Sequence, residues 1–151
     1  MIKIICLGKI KESYFNDAIE EYKKRISKYT NLEIIELEDI ANKSKEVTLE
    51  KEKEEILKYI NKKDYIIALT IEGNEIDSVE LAKKIDNIYI SYSNITFIIG
   101  SSYGLSEDLK NMANYKLSFS KMTFPHKLFR ILLLEQIYRA YKINNNEEYH
   151  K

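Results

Sequence analysis

Tyr65-Ile-Ile-Ala-Leu-Thr-Ile71 is the longest apolar-rich run in the chain, and its continuity decides the fold class. A strand with one wet face alternates apolar and polar residues, whereas a strand covered on both faces reads as an unbroken apolar run. Further strand-like runs rich in β-branched residues lie on either side: Ile2 to Leu7, Leu32 to Leu37, Ile95 to Ile99 and Tyr115 to Phe119. Between them the period changes to three or four. Phe15, Ile19, Tyr22, Ile26 and Tyr29 predict a helix over Tyr14 to Tyr29, with Ser13 as a candidate N-cap. Residues 46–60 place Leu49, Lys53, Ile56, Leu57 and Ile60 on one face, a solvated amphipathic helix that suggests no chemistry. Ser78 opens a helix to about Tyr89, Ser106 to Ala113 is a short one, and Pro125 at the first helical position starts one that runs to about Asn144. Strands separated by helices predict one α/β domain over residues 1–151, a parallel sheet with helices on both faces.

Composition narrows the classes. A chain of 151 residues buries about two thirds of its unfolded surface. With four Gly and one Pro it is neither disordered nor a Pro-rich linker. The single Cys6 excludes an internal disulfide framework and a Cys-based zinc site, and no metal is expected. Ile4 to Leu7 is too short for a secretory signal, and the Tyr65 to Ile71 run falls short of the about 20 residues of a membrane span. A soluble cytoplasmic protein is expected. Lys plus Arg and Asp plus Glu balance at 24 each, which argues against a uniformly basic nucleic-acid binder. The balance is uneven along the chain: residues 1–30 carry seven basic and four acidic groups, and residues 115–151 carry seven and three. If the two ends meet in the fold they form a basic face, with Lys9, Lys11, Lys127 and Lys142 as candidate phosphate contacts. The stretch from Lys43 to Lys63 is charge-rich, and Asn144 to Asn146 reads as a helix stop.

The glycines fall outside the helical patterns. Gly8, Gly73 and Gly100 lie at or just beyond the carboxyl end of a strand, and Gly104 closes the loop Gly100-Ser-Ser-Tyr-Gly104. Ligands of open α/β sheets bind along that edge. Neither G-x-G-x-x-G nor a P-loop motif occurs.

Residues 117–139 read Leu-Ser-Phe-Ser-Lys-Met-Thr-Phe-Pro-His-Lys-Leu-Phe-Arg-Ile-Leu-Leu-Leu-Glu-Gln-Ile-Tyr-Arg. From Leu128 to Leu134 only Arg130 is polar, so the helix is apolar nearly all round and must be buried on more than one side. A second copy of the chain would supply the extra cover, giving a homodimer. Glu135 and Arg139 form an i,i+4 pair, read as a structural salt bridge. Arg130 is either a buried ion-pair partner or a cation for RNA phosphate or a developing anion.

The loop Phe119-Ser-Lys-Met-Thr-Phe-Pro-His126, the helix Arg130-Ile-Leu-Leu-Leu-Glu-Gln-Ile-Tyr-Arg139-Ala and the closing Tyr149-His150 resemble the ribosomal RNA large subunit methyltransferase H family. Ile4 to Lys9, Ile67 to Gly73 and Phe97 to Leu105 extend the likeness over essentially the whole chain. These are small SPOUT-class enzymes that methylate N3 of pseudouridine in bacterial 23S rRNA. The resemblance implies a SPOUT fold with a C-terminal trefoil knot, a homodimer, S-adenosylmethionine as cofactor, and 23S rRNA within the assembled 70S ribosome as substrate. It places the cofactor on Leu69, Gly100, Phe119, Ser120, Lys121, Met122, Thr123 and Phe124. This chain has Gly100-Ser101 where many members have Gly-Gly, and Glu147-Glu148 before the terminal Tyr149-His150 where many have His-Pro.

Methylating an imide nitrogen requires loss of its proton, so a base or a stabiliser of the anion is needed. His126, His150 and Arg130 are the catalytic candidates. His126 can also be a structural histidine that holds its loop, and His150 a frayed terminus. The resemblance favours a functional His150 that reaches the partner's cofactor; the general base stays unassigned. A nonenzymatic dimeric RNA-binding module, or an α/β enzyme for a small phosphate ligand centred on Gly100 to Gly104, are the rival functions.

Overall fold

The computed structural model describes residues 1–41 and 44–151. Lys43, the first residue of the charge-rich stretch, lies outside them. Five strands and five helices alternate: β1 (Ile2–Leu7), α1 (Ser13–Ile26), β2 (Leu32–Leu37), α2 (Lys45–Leu57), β3 (Asp64–Glu75), α3 (Ser78–Tyr89), β4 (Asn94–Ile99), α4 (Glu107–Met112), β5 (Tyr115–Ser118) and α5 (His126–Asn144). All strand pairs are parallel, in the order β2-β1-β4-β3-β5. The parallel α/β class expected from the apolar runs is therefore present.

The alternation within β1 shows how both faces are covered. Ile2, Ile4 and Cys6 face a core built with α1, α3 and α5, whereas Ile5 and Leu7 face a second core with Ile56 of α2 and Leu109 of α4. Burial pushes the Cys6 thiol up to about 12, although the nearby Arg130 works the other way. That thiol is inert filling. At the opposite edge of the sheet, the Lys3 ammonium lies 3.4 Å from the buried Asp64 carboxylate, which also accepts from Thr96 Oγ1 at 3.0 Å and Asn61 N at 3.1 Å.

Local differences from the sequence reading have local causes. Glu12, not Ser13, is the residue flanking α1, and α1 ends at Ile26. Tyr29 sits in the following turn and still stacks on Tyr141 of α5, centroids 5.8 Å apart. In α2 the inward face is Thr48, Glu52 and Ile56, one every fourth residue, while Leu57 is exposed. The helix can turn Glu52 inward because Ser101 Oγ donates to its carboxylate at 3.0 Å. Asp77 precedes Ser78 as the N-cap of α3 and forms a capping box with Glu80.

Gly73 lies inside β3, not at its end. β3 slips register against β5 between Leu69 and Asn74. There a Cβ on residue 73 would stand 2.8 Å from the backbone carbon of Lys116, so the two strands approach closely only because residue 73 has no side chain. Pro125 flanks α5, whose first helical residue is His126. The helix stops where expected: Asn146 takes φ 54°, and Glu147 N donates to Lys142 O at 3.0 Å. Asparagine tolerates this left-handed position.

Candidate active site

Strands β4 and β5 end on either side of the middle of β3, where Leu69 to Glu72 and the loops after β4 and β5 leave a cavity of about 390 Å³. Leu69, Ile99 and Leu117 form its floor, and the loops after β4 and β5 form its walls. The β4 loop folds tightly on itself. Gly104 N donates to Ser101 O at 2.8 Å, and a Cβ on Gly100 would collide with the Gly104 carbonyl. Only glycine lets these two backbone segments approach so closely.

The β5 loop is held by rings and hydroxyls. Phe119 and Phe124 pack on Phe129 of α5, centroids 4.8 and 6.2 Å away. Ser118 Oγ donates to Ser120 O at 3.1 Å, and Ser120 Oγ accepts from Met122 N at 3.0 Å. Met122 itself stays 76% exposed beside the cavity, an apolar side chain held open to solvent.

Polar side chains line the cavity as well as apolar ones. Glu72 and Lys110 line it and pair at 2.6 Å, so the Glu72 carboxyl is held below its usual range by the Lys110 hydrogen bond. Thr70 Oγ1 is buried without a hydrogen-bond partner among the described residues, and Thr70 lines the cavity. His126 lines it too. Burial and the Arg130 charge lower its pKa below 6.5, against a smaller opposing pull from Asp39, and keep the imidazole neutral at pH 7.

Of the residues singled out in the sequence, Leu69, Gly100, Phe119, Ser120, Met122, Thr123, Phe124 and His126 line one cavity. Lys121, Arg130 and His150 are not among its lining residues. Arg130 is 2% exposed and donates to the carbonyls of Leu7 and Gly8 and, at 2.9 Å, to Glu36. Of its two sequence readings, the buried ion pair is the one the structure displays. Glu36 also accepts from Ile10 N at 2.9 Å, so Arg130 pins α5 to the end of β1.

His150 belongs to a second cluster, on α5. Its Nδ1 lies 3.2 Å from Arg139 Nη1, while Glu135 accepts from Arg139 Nη2 at 2.6 Å and from the Tyr149 hydroxyl at 3.0 Å. Arg139 also lies over the Tyr149 ring, 4.8 Å from its centroid. The tail is further held by Glu147, which accepts from Lys142 Nζ at 2.7 Å and from the Tyr29 hydroxyl at 2.9 Å. Glu147 thus ties the tail to α5 and to the turn after α1.

The terminal segments meet through α1 and α5, but their basic face is largely paired. Lys9 pairs with Glu38, Lys127 with Glu12 and Lys142 with Glu147. Sequence reasoning missed Thr70, Phe129 and the reach of Arg139 to His150. For Thr70 a signal was available, a hydroxyl interrupting the longest apolar run; for the others no local signal exists.

The family model described as "Predicted SPOUT methyltransferase" matches residues 1–150. The chain is 54% identical to a Methanococcus maripaludis protein named "Putative ribosomal RNA large subunit methyltransferase H", and 50% identical to the ribosomal RNA large subunit methyltransferase H of Clostridioides difficile. Both alignments cover 99% of this chain and 99% of the relative. Among solved structures, a "probable methylase family protein" from Haemophilus influenzae matches with a TM-score of 0.58 at 15% identity, over 99% of this chain and 70% of that one, a likeness of fold.

Proposed function

The chain belongs to the SPOUT methyltransferases, in the ribosomal RNA large subunit methyltransferase H family, and from that membership we propose that it methylates N3 of a pseudouridine in 23S rRNA with S-adenosylmethionine. The observation that carries the reading is the cavity between the middle of β3 and the carboxyl ends of β4 and β5. Its chemistry fits the cofactor. Leu69, Leu117, Phe119 and Met122 offer apolar surface to a flat purine, and the partnerless Thr70 hydroxyl needs a polar ligand atom. S-adenosylmethionine, when bound, supplies an electrophilic methyl group.

The chain's own residues supply placement and proton handling. The Gly100 to Gly104 loop and the Phe119 to Phe124 loop, Lys121 included, hold the cofactor. His126, neutral and beside the cavity, can accept a proton. His150, held by Arg139 and Tyr149, serves the cavity of the partner in a homodimer, since it does not line its own. The dimer is supported by apolar surface left at the start of α5, where Met122, Phe124 and Leu128 are exposed. Arg130 acts by holding α5 against β1. A C-terminal trefoil knot and a cytoplasmic location belong to the same proposal. The assembled 70S ribosome suits a chain of balanced charge whose Lys9, Lys127 and Lys142 are held in ion pairs, because a large structured surface can be recognised without a basic patch. No helix among the described residues is long and apolar enough to cross a membrane, and they contain no acid, histidine or cysteine group able to hold a metal.

The test is methyl transfer from labelled cofactor to ribosomes that lack the modification. The wild type is expected to label 23S rRNA at one pseudouridine. No transfer to free rRNA, subunits or 70S particles sinks the reading, and absence of cofactor binding by calorimetry would favour a nonenzymatic RNA-binding module.

A further inference from the structure

Glu52 is a buried carboxylate, 4% exposed, on the inward face of α2 between Thr48 and Ile56. It is not among the residues lining the cavity, but it touches one that is: Ser101 Oγ donates to its Oε2 at 3.0 Å. The same hydroxyl accepts from Tyr103 N at 3.4 Å. A hydroxyl has a single proton to donate. Giving it to Glu52 turns the oxygen's lone pairs toward the loop, so the carboxylate orients the atom on which the Tyr103 amide rests. Ser101, Ser102, Tyr103 and Gly104 form the cavity wall after β4, a loop with one backbone hydrogen bond across it, Gly104 N to Ser101 O. Among the described residues, Glu52 is therefore the one side chain of α2 hydrogen-bonded to this wall, across 49 residues of sequence.

We propose that Glu52 is a positioning residue for the cofactor-facing loop, acting through Ser101 to fix the Gly100 to Gly104 backbone. The proposal rests on the reading of the cavity as the cofactor site. It gives Ser101 a role that glycine could not fill, since glycine offers no hydroxyl to bridge α2 and the loop. A buried carboxylate with a solvated alternative is unfavourable unless hydrogen-bonded. Its retention under this loop is explained if the bond it makes shapes the wall.

Two measurements test it. Calorimetry with S-adenosylmethionine on the full-length protein compares wild type, Glu52→Met, Ser101→Ala and the double variant, with Glu52→Gln and Ser101→Thr as conservative controls that keep an acceptor and a hydroxyl. Loss of either partner is expected to weaken cofactor binding about threefold to tenfold, the range of one hydrogen bond. The double variant is expected to be no weaker than the worse single one, and both controls to stay within about twofold of wild type. Amide hydrogen exchange of Tyr103 and Gly104 in the ligand-free protein should quicken in Glu52→Met and Ser101→Ala alike. A merely structural Glu52 would shift the melting temperature while leaving affinity and loop exchange unchanged, and that result overturns the proposal, as does additivity in the double variant. If the wild type binds no cofactor, the functional reading fails. Loop exchange still decides the role of Glu52: quickened in both variants it supports the link, unchanged it refutes it.

Discussion

Arg139 Nη1 stands 3.2 Å from Nδ1 of His150, joining the last helix to the penultimate residue of the chain. A guanidinium only donates, so an Nδ1 that accepts from it leaves the ring proton on Nε2. Glu135 fixes the fork from the other side at 2.6 Å.

The consequence is that Arg139 orients the tail. Arg139→Ala is expected to lower methyl transfer by about 10- to 100-fold, the scale of a misplaced reacting group. Cofactor affinity should stay within about twofold, because Arg139 does not line the cavity. Arg139→Lys should recover little, since an ammonium lacks the planar fork. Equal loss of affinity and rate would contradict this division.

Arg130 carries a different burden. Its guanidinium serves two β1 carbonyls and Glu36 from a position 2% exposed. Removing it strands a carboxylate and two carbonyls, and Arg130→Met should destabilise the fold by about 3–5 kcal/mol. Urea unfolding measures it. A loss of activity without a loss of stability would instead restore the reading of Arg130 as a substrate cation.

Asp64 contributes to the acid limb of stability. Burial alone would raise its pKa, but the Asn61 amide, the Thr96 hydroxyl, Lys3 and Asn94 together hold it below the ordinary 3.8. The folded state thus binds this proton less readily than the unfolded chain. The stabilisation is complete above about pH 4 and is lost as pH falls through the depressed folded value. Asp64→Asn should cost about 3 kcal/mol at pH 7 and flatten the dependence below pH 4. An unchanged acid limb in the variant would assign it elsewhere.

His126 shifts in the opposite sense for a base. With its folded pKa below 6.5, the unfolded chain takes up the proton first as pH falls. Its contribution to stability therefore rises with pH up to about 6.5 and declines below it. An NMR titration of its ring protons should give a midpoint below 6.5. A midpoint at or above that value would mean a more solvated ring than the cavity wall provides.

Much of the fold was legible because burial on both faces leaves a local trace. Tyr65 to Ile71 is apolar but for Thr70, and Ile2 to Leu7 but for Lys3, and each run lies in a strand with a core on either side. The cavity residues were legible through the resemblance of the Phe119 to His126 loop and through glycines at strand ends. Glu52 was not, because a glutamate on a charge-rich helix is indistinguishable in sequence from its solvated neighbours. Gly73 looked like a strand end because the slip between β3 and β5 depends on a neighbour more than 40 residues away, Lys116.

What the sequence by itself determined is the list of parts: five strands, the helices between them, the stop at Asn144 to Asn146, and one loop of family-specific residues. These follow from periodicity and turn chemistry, which act within a few residues. Only the tertiary structure decided the order β2-β1-β4-β3-β5, the pairing of Arg130 with carbonyls of β1, and the meeting of Glu52 with Ser101. Those contacts join residues that chain spacing keeps apart, and the free energy that selects them comes from burying groups against partners that no local window contains.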